Sequence, residues 1–134
     1  MKVDGACHCG FVSFAAEIDP ERVRICHCTD SQTFSGSAFR LAVSVDEQDF
    51  TLLSGRPKTY VKTAESGNRR EQVFCPRCGT HIYATSAGEG PRPLGLRVAT
   101  LKQRNDLPPK RQFWFRSAQP WITELSAISS VETQ

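Results

Sequence analysis

No run of apolar residues in this 134-residue chain approaches the ~18 that a membrane-spanning helix needs. The opening stretch, MKVDGACHCG, lacks the apolar segment of roughly 7–15 residues that marks a secretory leader, so the expected location is the cytoplasm. There is no phosphate-cradling glycine loop, no dinucleotide fingerprint and no Gly-x-Ser-x-Gly elbow. No His–Cys or His–Ser pairing reads as a hydrolase. Internal repeats and low-complexity segments are also missing. Charge imbalance is small: 17 Lys and Arg face 14 Asp and Glu, a formal +3 with pI near 8.6. Four thiolates holding one Zn²⁺ would bring that to about +1, so a nucleic acid is not the expected partner.

What remains is an ordinary globular balance, 39% hydrophobic and 23% charged, in a length that suits one domain over 1–134. The informative residues are six cysteines, and all fall into close pairs: Cys7/Cys9, Cys26/Cys28 and Cys75/Cys78. A disulfide framework is disfavoured, because the chain shows no secretion signal and is long enough to bury a core without staples. A ring closed within Cys-x-Cys would be strained. Inert core cysteines do not usually arrive as doublets, which leaves metal ligation by at least two of the pairs.

The hydropathy pattern predicts a mainly β chain of short strands. Candidates are 11–17, 21–25, 37–45, 50–53, 58–62, 72–74, 81–85, 96–101 and 111–116, separated by turn sequences such as SGRP and ESGN. Helix is confined to single turns around TDSQTF, VDEQDF and the C-terminal region, and residues 126–134 read as frayed. Many short strands at close spacing predict an antiparallel sandwich or open barrel.

FCPRCGTH, residues 74–81, reads as a zinc knuckle. Pro76 presets the turn between Cys75 and Cys78, and Gly79 permits the left-handed residue after it. One knuckle supplies two ligands, and Cys7 and Cys9, with Gly10 at their own turn, can supply the other two. Four thiolates close the coordination sphere, so this site is expected to be structural. His8, between two ligands, is expected to point outward.

Cys26 and Cys28 then have no sulfur partner. Here the sequence resembles a known family. GACHCGFVSF, ICHCTDSQTFSGSAFR, FTLLSGRPKTYVKTAESGNRREQVFCPRCGTHIYA and RSAQPW follow in order the pattern of glutathione-dependent formaldehyde-activating proteins, which include centromere-protein-V-like proteins. The resemblance runs from about Gly5 to Trp121. It implies a β-tent zinc fold with a structural zinc on Cys7, Cys9, Cys75 and Cys78. It also implies a second, catalytic zinc on Cys26, Cys28 and position 31, where this chain carries Ser31 in place of cysteine. The activity implied is that of a carbon–sulfur lyase, joining formaldehyde to glutathione as S-hydroxymethylglutathione. The implied partners are a small thiol such as glutathione and an aldehyde, with oligomeric state open and a homodimer among the options.

An alcohol is far less acidic than a thiol and is a poor zinc ligand when neutral. Cys26, Cys28 and Ser31 therefore predict a second zinc that is weak or absent, and two outcomes compete: a weakened lyase, or a catalytically silent zinc-stabilised binding module. His27 and Asp30 are lesser candidates for the missing ligand. Around the site, Ser35, Gly36 and Ser37 offer backbone amides to a carbonyl or carboxylate, with a plain turn as the equal alternative. Arg40, Lys62, Arg69 and Arg70 offer positive charge to a glutathione-like thiol, with solvated surface the commoner role. Phe113, Trp114, Phe115 and Trp121, interleaved with arginine, are expected to pack into the core along an alternating strand rather than to stack on bases.

Overall fold

The computed structural model describes residues 1–134. Ten strands form two sheets, joined by one α-helix and short 3-10 turns, and no helix is long and apolar enough to cross a membrane. The strands are β1 (Lys2–Ala6), β2 (Ser13–Glu17), β3 (Val23–Cys26), β4 (Arg40–Asp46), β5 (Phe50–Ser54), β6 (Lys58–Thr63), β7 (Arg69–Phe74), β8 (His81–Ser86), β9 (Pro93–Arg97) and β10 (Arg111–Phe113). The helix α1 spans Thr29–Ser35. The small sheet has the order β1-β2-β5, and the large one β10-β3-β4-β9-β8-β7-β6.

The mainly β expectation holds, with four differences. β1 was not expected, because KVDGA alternates weakly and carries Asp and Gly. Its register with β2, Lys2 opposite Glu17 through Ala6 opposite Ser13, supplies what local propensity does not. The strand expected at 96–101 lies earlier, at Pro93–Arg97, because Val98–Thr100 coil into a 3-10 turn. The strand expected to run to residue 116 stops at Phe113, because Trp114 takes φ 55°, a left-handed conformation that ends pairing. Finally, β10 lies parallel to β3, whereas every other pair is antiparallel.

Period-two alternation gives the large sheet two different faces. Val23, Val43, Leu96, Tyr83 and Val73 form one cross-strand row. That face meets the small sheet, where Phe50 stacks on Phe14 and edges onto Tyr83 at centroid distances of 5.4 and 5.3 Å. Phe14, Val12, Val43, Leu96, Leu101 and Leu107 are almost wholly excluded from solvent there. Gly5 lets β1 approach the segment after β9: a Cβ at this position would sit 2.5 Å from the Thr100 carbonyl oxygen and 2.7 Å from the Phe14 ring. The other face of the large sheet carries Cys26, Arg40, Arg24, Arg97 and Arg70, and α1 lies against part of it. Phe34 of that helix packs on Tyr60 and His81, and Asp30 pairs with Lys62.

Candidate metal centre and the second cysteine pair

Two tight turns face each other at one end of the molecule. The first follows β1, where Cys7 N–H donates to the Val12 carbonyl at 2.9 Å and Gly10, at φ 80°, returns its N–H to Cys7. The second follows β7, where Cys75 N–H donates to the Thr80 carbonyl and Gly79, at φ 77°, donates to Cys75, both at 2.9 Å. Two contacts bind the turns together. His8 N–H donates to Thr80 Oγ1 at 3.1 Å, and the Arg77 guanidinium lies 3.7 Å over the Phe11 ring.

This arrangement converges Cys7, Cys9, Cys75 and Cys78, whose sulfurs all lie within 4.8 Å of one another. The Cys7–Cys9 and Cys9–Cys75 separations are 3.6 and 3.8 Å. A tetrahedron with metal–sulfur bonds of ~2.3 Å has edges of about 3.8 Å, so the donor set fits a single ion. The surroundings favour thiolates: Val12 N–H points at Cys7 Sγ at 3.2 Å, Arg77 N–H at Cys75 Sγ at 3.4 Å, and the Thr80 hydroxyl lies 3.1 Å from Cys78 Sγ. Thr80, through its hydroxyl and its N–H, draws the Cys78 thiol down to about 5. Cys9 goes the other way, to about 11. The Phe11 N–H favours its thiolate, but burial and three neighbouring sulfurs outweigh it. Four thiolates this close repel unless a cation shares them. Cys7 and Cys75 are buried and Cys9 and Cys78 exposed, which leaves one side of the cluster open to solvent. His8 is exposed and takes no part.

The second pair stands on the other face of the large sheet. Cys26 ends β3, and Cys28 is the N-cap of α1, its sulfur accepting from Ser31 N–H at 3.4 Å and lying 3.0 Å from Ser31 Oγ. Ser31 is buried, with its hydroxyl held beside Cys28. Burial raises the Cys26 thiol, but the Ser31 hydroxyl, the Cys28 N–H and thiol, and the Arg40 charge together leave it below its ordinary value. Neither lesser candidate joins the pair. Asp30 is engaged by Lys62, and His27 is buried with Nε2 2.8 Å from Gln112 Oε1 and its ring against Phe39 and Phe115. The first cluster is the one group of three or more His, Cys, Asp or Glu side chains brought to ligand distance.

The segment after the pair is tied down by side chains. Gln32 Nε2 donates to the His27 carbonyl at 2.7 Å and to the Ser117 carbonyl at 2.9 Å, and Gln119 donates to Gln32 Oε1. The amides of Gly36 and Ser37 are not presented to a ligand. They close the end of α1 on the Thr33 and Gln32 carbonyls, so of the two alternatives for SGSAF the plain turn stands.

The expectation that Phe113, Trp114, Phe115 and Trp121 enter the core is overturned: they are 42–53% exposed, because the strand ends before the alternation can bury them. Arg24 lies over Phe113 and Arg116 over Trp114.

Among the basic candidates, Arg69 is exposed and Lys62 pairs with Asp30. Arg40 and Arg70 are half-buried. The register adds two arginines that sequence inspection missed. Arg24 and Arg97 both stand opposite Ala42, and Arg40 stands opposite Cys26, all on one face. Arg24 was findable, because it lies two residues from Cys26 on a strand; Arg97 needed the β4–β9 register. Arg97 is 8% exposed, and its burial, with Arg40 and Arg70 nearby, lowers its pKa to about 9. A cleft of about 620 Å³ opens beside Arg24 and Ser44, rimmed by Lys110 and Arg111; none of the six cysteines lines it.

The family model described as glutathione-dependent formaldehyde-activating enzyme matches residues 2–117. Among solved structures, the crystal structure of a Rhodobacter sphaeroides protein is similar with a TM-score of 0.64 and 22% identity, over 81% of this chain and 98% of that one. At that identity the likeness speaks for the fold alone. No curated protein matches the chain.

Proposed function

Because the chain belongs to the glutathione-dependent formaldehyde-activating family over residues 2–117, we propose that it is a zinc-dependent carbon–sulfur lyase of a thiol–aldehyde adduct such as S-hydroxymethylglutathione. In this proposal the whole chain works as one cytoplasmic domain. Cys7, Cys9, Cys75 and Cys78 would hold a structural zinc, an assignment supported by four sulfurs at tetrahedral spacing. Chemistry would take place at Cys26, Cys28 and Ser31.

The overall step balances without a redox partner. In the forward direction the thiol sulfur forms a bond to the aldehyde carbon, the carbonyl π pair moves to oxygen, and the thiol proton ends on that oxygen. In the lyase direction the C–S bond breaks and the hydroxyl proton returns to sulfur. A zinc ion at the second pair would supply Lewis acidity toward a thiolate or a carbonyl oxygen. Cys26 and Cys28 would hold that ion, and Ser31 would orient toward it through the hydroxyl beside Cys28. Arg40, across the strand pair from Cys26, offers charge to the oxygen or thiolate that becomes negative.

One observation supports a second reading. No third ligand of the His, Cys, Asp or Glu type joins Cys26 and Cys28, and Ser31 Oγ lies 3.0 Å from Cys28 Sγ. A zinc-stabilised binding module without catalysis would look the same. The test is the rate of adduct formation from glutathione and formaldehyde, followed by NMR with zinc-loaded protein and excess zinc. Acceleration over the uncatalysed reaction, greater in Ser31→Cys, supports the lyase. No acceleration by either form with any aldehyde tried favours the binding module.

A further inference from the structure

We propose that Arg24, Arg40, Arg70 and Arg97 form an anion-binding floor beside Cys26, which takes the carboxylate or phosphate group of the small molecule bound there. The anion site rests on the arginines alone. Its assignment to the thiol substrate rests on the function proposed above.

Sheet register brings the four together. Arg24 and Arg97 flank Ala42 on the strands either side of β4, Arg40 precedes Ala42 by two residues on the same face, and Arg70 stands on that face opposite Ser86. The residues between them are small. Ala42, Gly95 and Ala84 are buried beneath the long side chains around them. A Cβ on Gly95 would lie 3.9 Å from Arg97 Nη1 and 4.0 Å from Arg24 Nη2, so two guanidiniums from different strands reach over the same glycine.

Charge on this face is unbalanced. Every ion pair of the molecule involves other cations: the N-terminus, Arg22, Lys62, Arg92, Lys102 and Lys110. Against four positive charges this side of the sheet carries only the Cys26 and Cys28 thiols and Asp30, and Lys62 already engages Asp30. Buried arginine is normally paired, because desolvating a guanidinium without a counter-charge is costly.

Hydrogen bonding is equally incomplete. Each guanidinium carries five N–H donors. Arg97 donates to the Gly95 carbonyl and Gln72, and Arg70 to Ser86 Oγ. Arg24 and Arg40 donate no hydrogen bond within the protein, and Arg40 Nε is buried without any partner. Planar guanidiniums with free, convergent donors match the two oxygens of a carboxylate or phosphate. A glutathione-like thiol carries such a carboxylate.

The probe is inorganic phosphate, titrated into the zinc-loaded chain at constant ionic strength with chloride as control. Binding is read by calorimetry and by melting temperature. Phosphate should raise the melting temperature where chloride does not. Arg40→Gln and Arg70→Gln should each weaken phosphate binding about tenfold or more. Each variant should also melt no lower than the parent without phosphate, since one of four mutually repelling charges is gone. Glutathione should bind more tightly than its diethyl ester, which distinguishes a carboxylate source from phosphate alone. Phosphate binding no better than chloride, or unchanged in both variants, would overturn the anion site even if the chain accelerates adduct formation. Phosphate binding lost in both variants, with no thiol–aldehyde chemistry in any form, would uphold the site and overturn the lyase.

Discussion

Cys9 and Cys75 stand 66 residues apart in the chain, and their sulfurs lie 3.8 Å apart. Both sit beyond strand ends, so a metal bridging them would lock the β1–β2 turn of the small sheet to the β7–β8 turn of the large one. A structural zinc site can contribute as much free energy as a whole domain's stability, on the order of 5–15 kcal/mol. Chelation should therefore lower the melting temperature by many degrees, and Cys75→Ser should lose the ion. Calorimetric melts with zinc content measured on the same samples check this; an unchanged melt after verified zinc removal would contradict it.

Ser31→Cys should raise tight zinc from about one per chain towards two. Ser31 Oγ already lies 3.0 Å from Cys28 Sγ in a buried position, so a sulfur there completes a three-thiolate set with minimal rearrangement. Loss of a first ligand should cost at least the ~10–100-fold in metal affinity that outer-shell changes produce. Zinc per chain after gel filtration measures it. Two tight ions in the serine form would count against this account of the site.

Gly5→Ala should destabilise the fold by ~1–3 kcal/mol, because the new methyl meets the Thr100 carbonyl and the Phe14 ring. β1 must then move away from Leu101, and Cys7 moves with it. Urea denaturation of the zinc-loaded forms reads the loss. A midpoint equal to the parent's would show that β1 has slack.

Arg92 donates to Glu47 Oε1 at 2.9 Å and to Glu71 Oε2 at 3.1 Å, joining the turn before β5 to β7. The Arg92 hydrogen bond holds Glu47 below its ordinary 4.5. A carboxyl depressed on folding adds stability above its unfolded pKa, and that stability is lost as pH falls through the folded value. Arg92→Gln should thus melt lower than the parent at pH 7, with the gap narrowing below pH 4.5. Melts of both proteins across that range check the sign; a gap that widens in acid would contradict it.

The strand count shows how far local pattern reaches. SAFRLAVSV and KTYVK announce β4 and β6 through β-branched residues in alternation. KVDGA announces nothing, and β1 exists because β2 offers it a register and Gly5 fits under Thr100. The aromatic stretch misled for a related reason. Its alternation is real, but Trp114 turns left-handed and leaves four large rings at the surface.

The sequence by itself determined which thiols come together. Cysteines in three doublets, two beside turn-permitting glycines, named the four-sulfur cluster, because thiol spacing on a tight turn is a local property, and Ser31 set the expectation of a weaker second site. Only the tertiary structure decided the rest: that Asp30 is taken by Lys62 and His27 by Gln112, and that Arg24 and Arg97 stand beside Arg40 next to Cys26. Those relations depend on strand order and register. A shift of one residue reverses which side chains share a face, and nothing within a single strand specifies its neighbour's register.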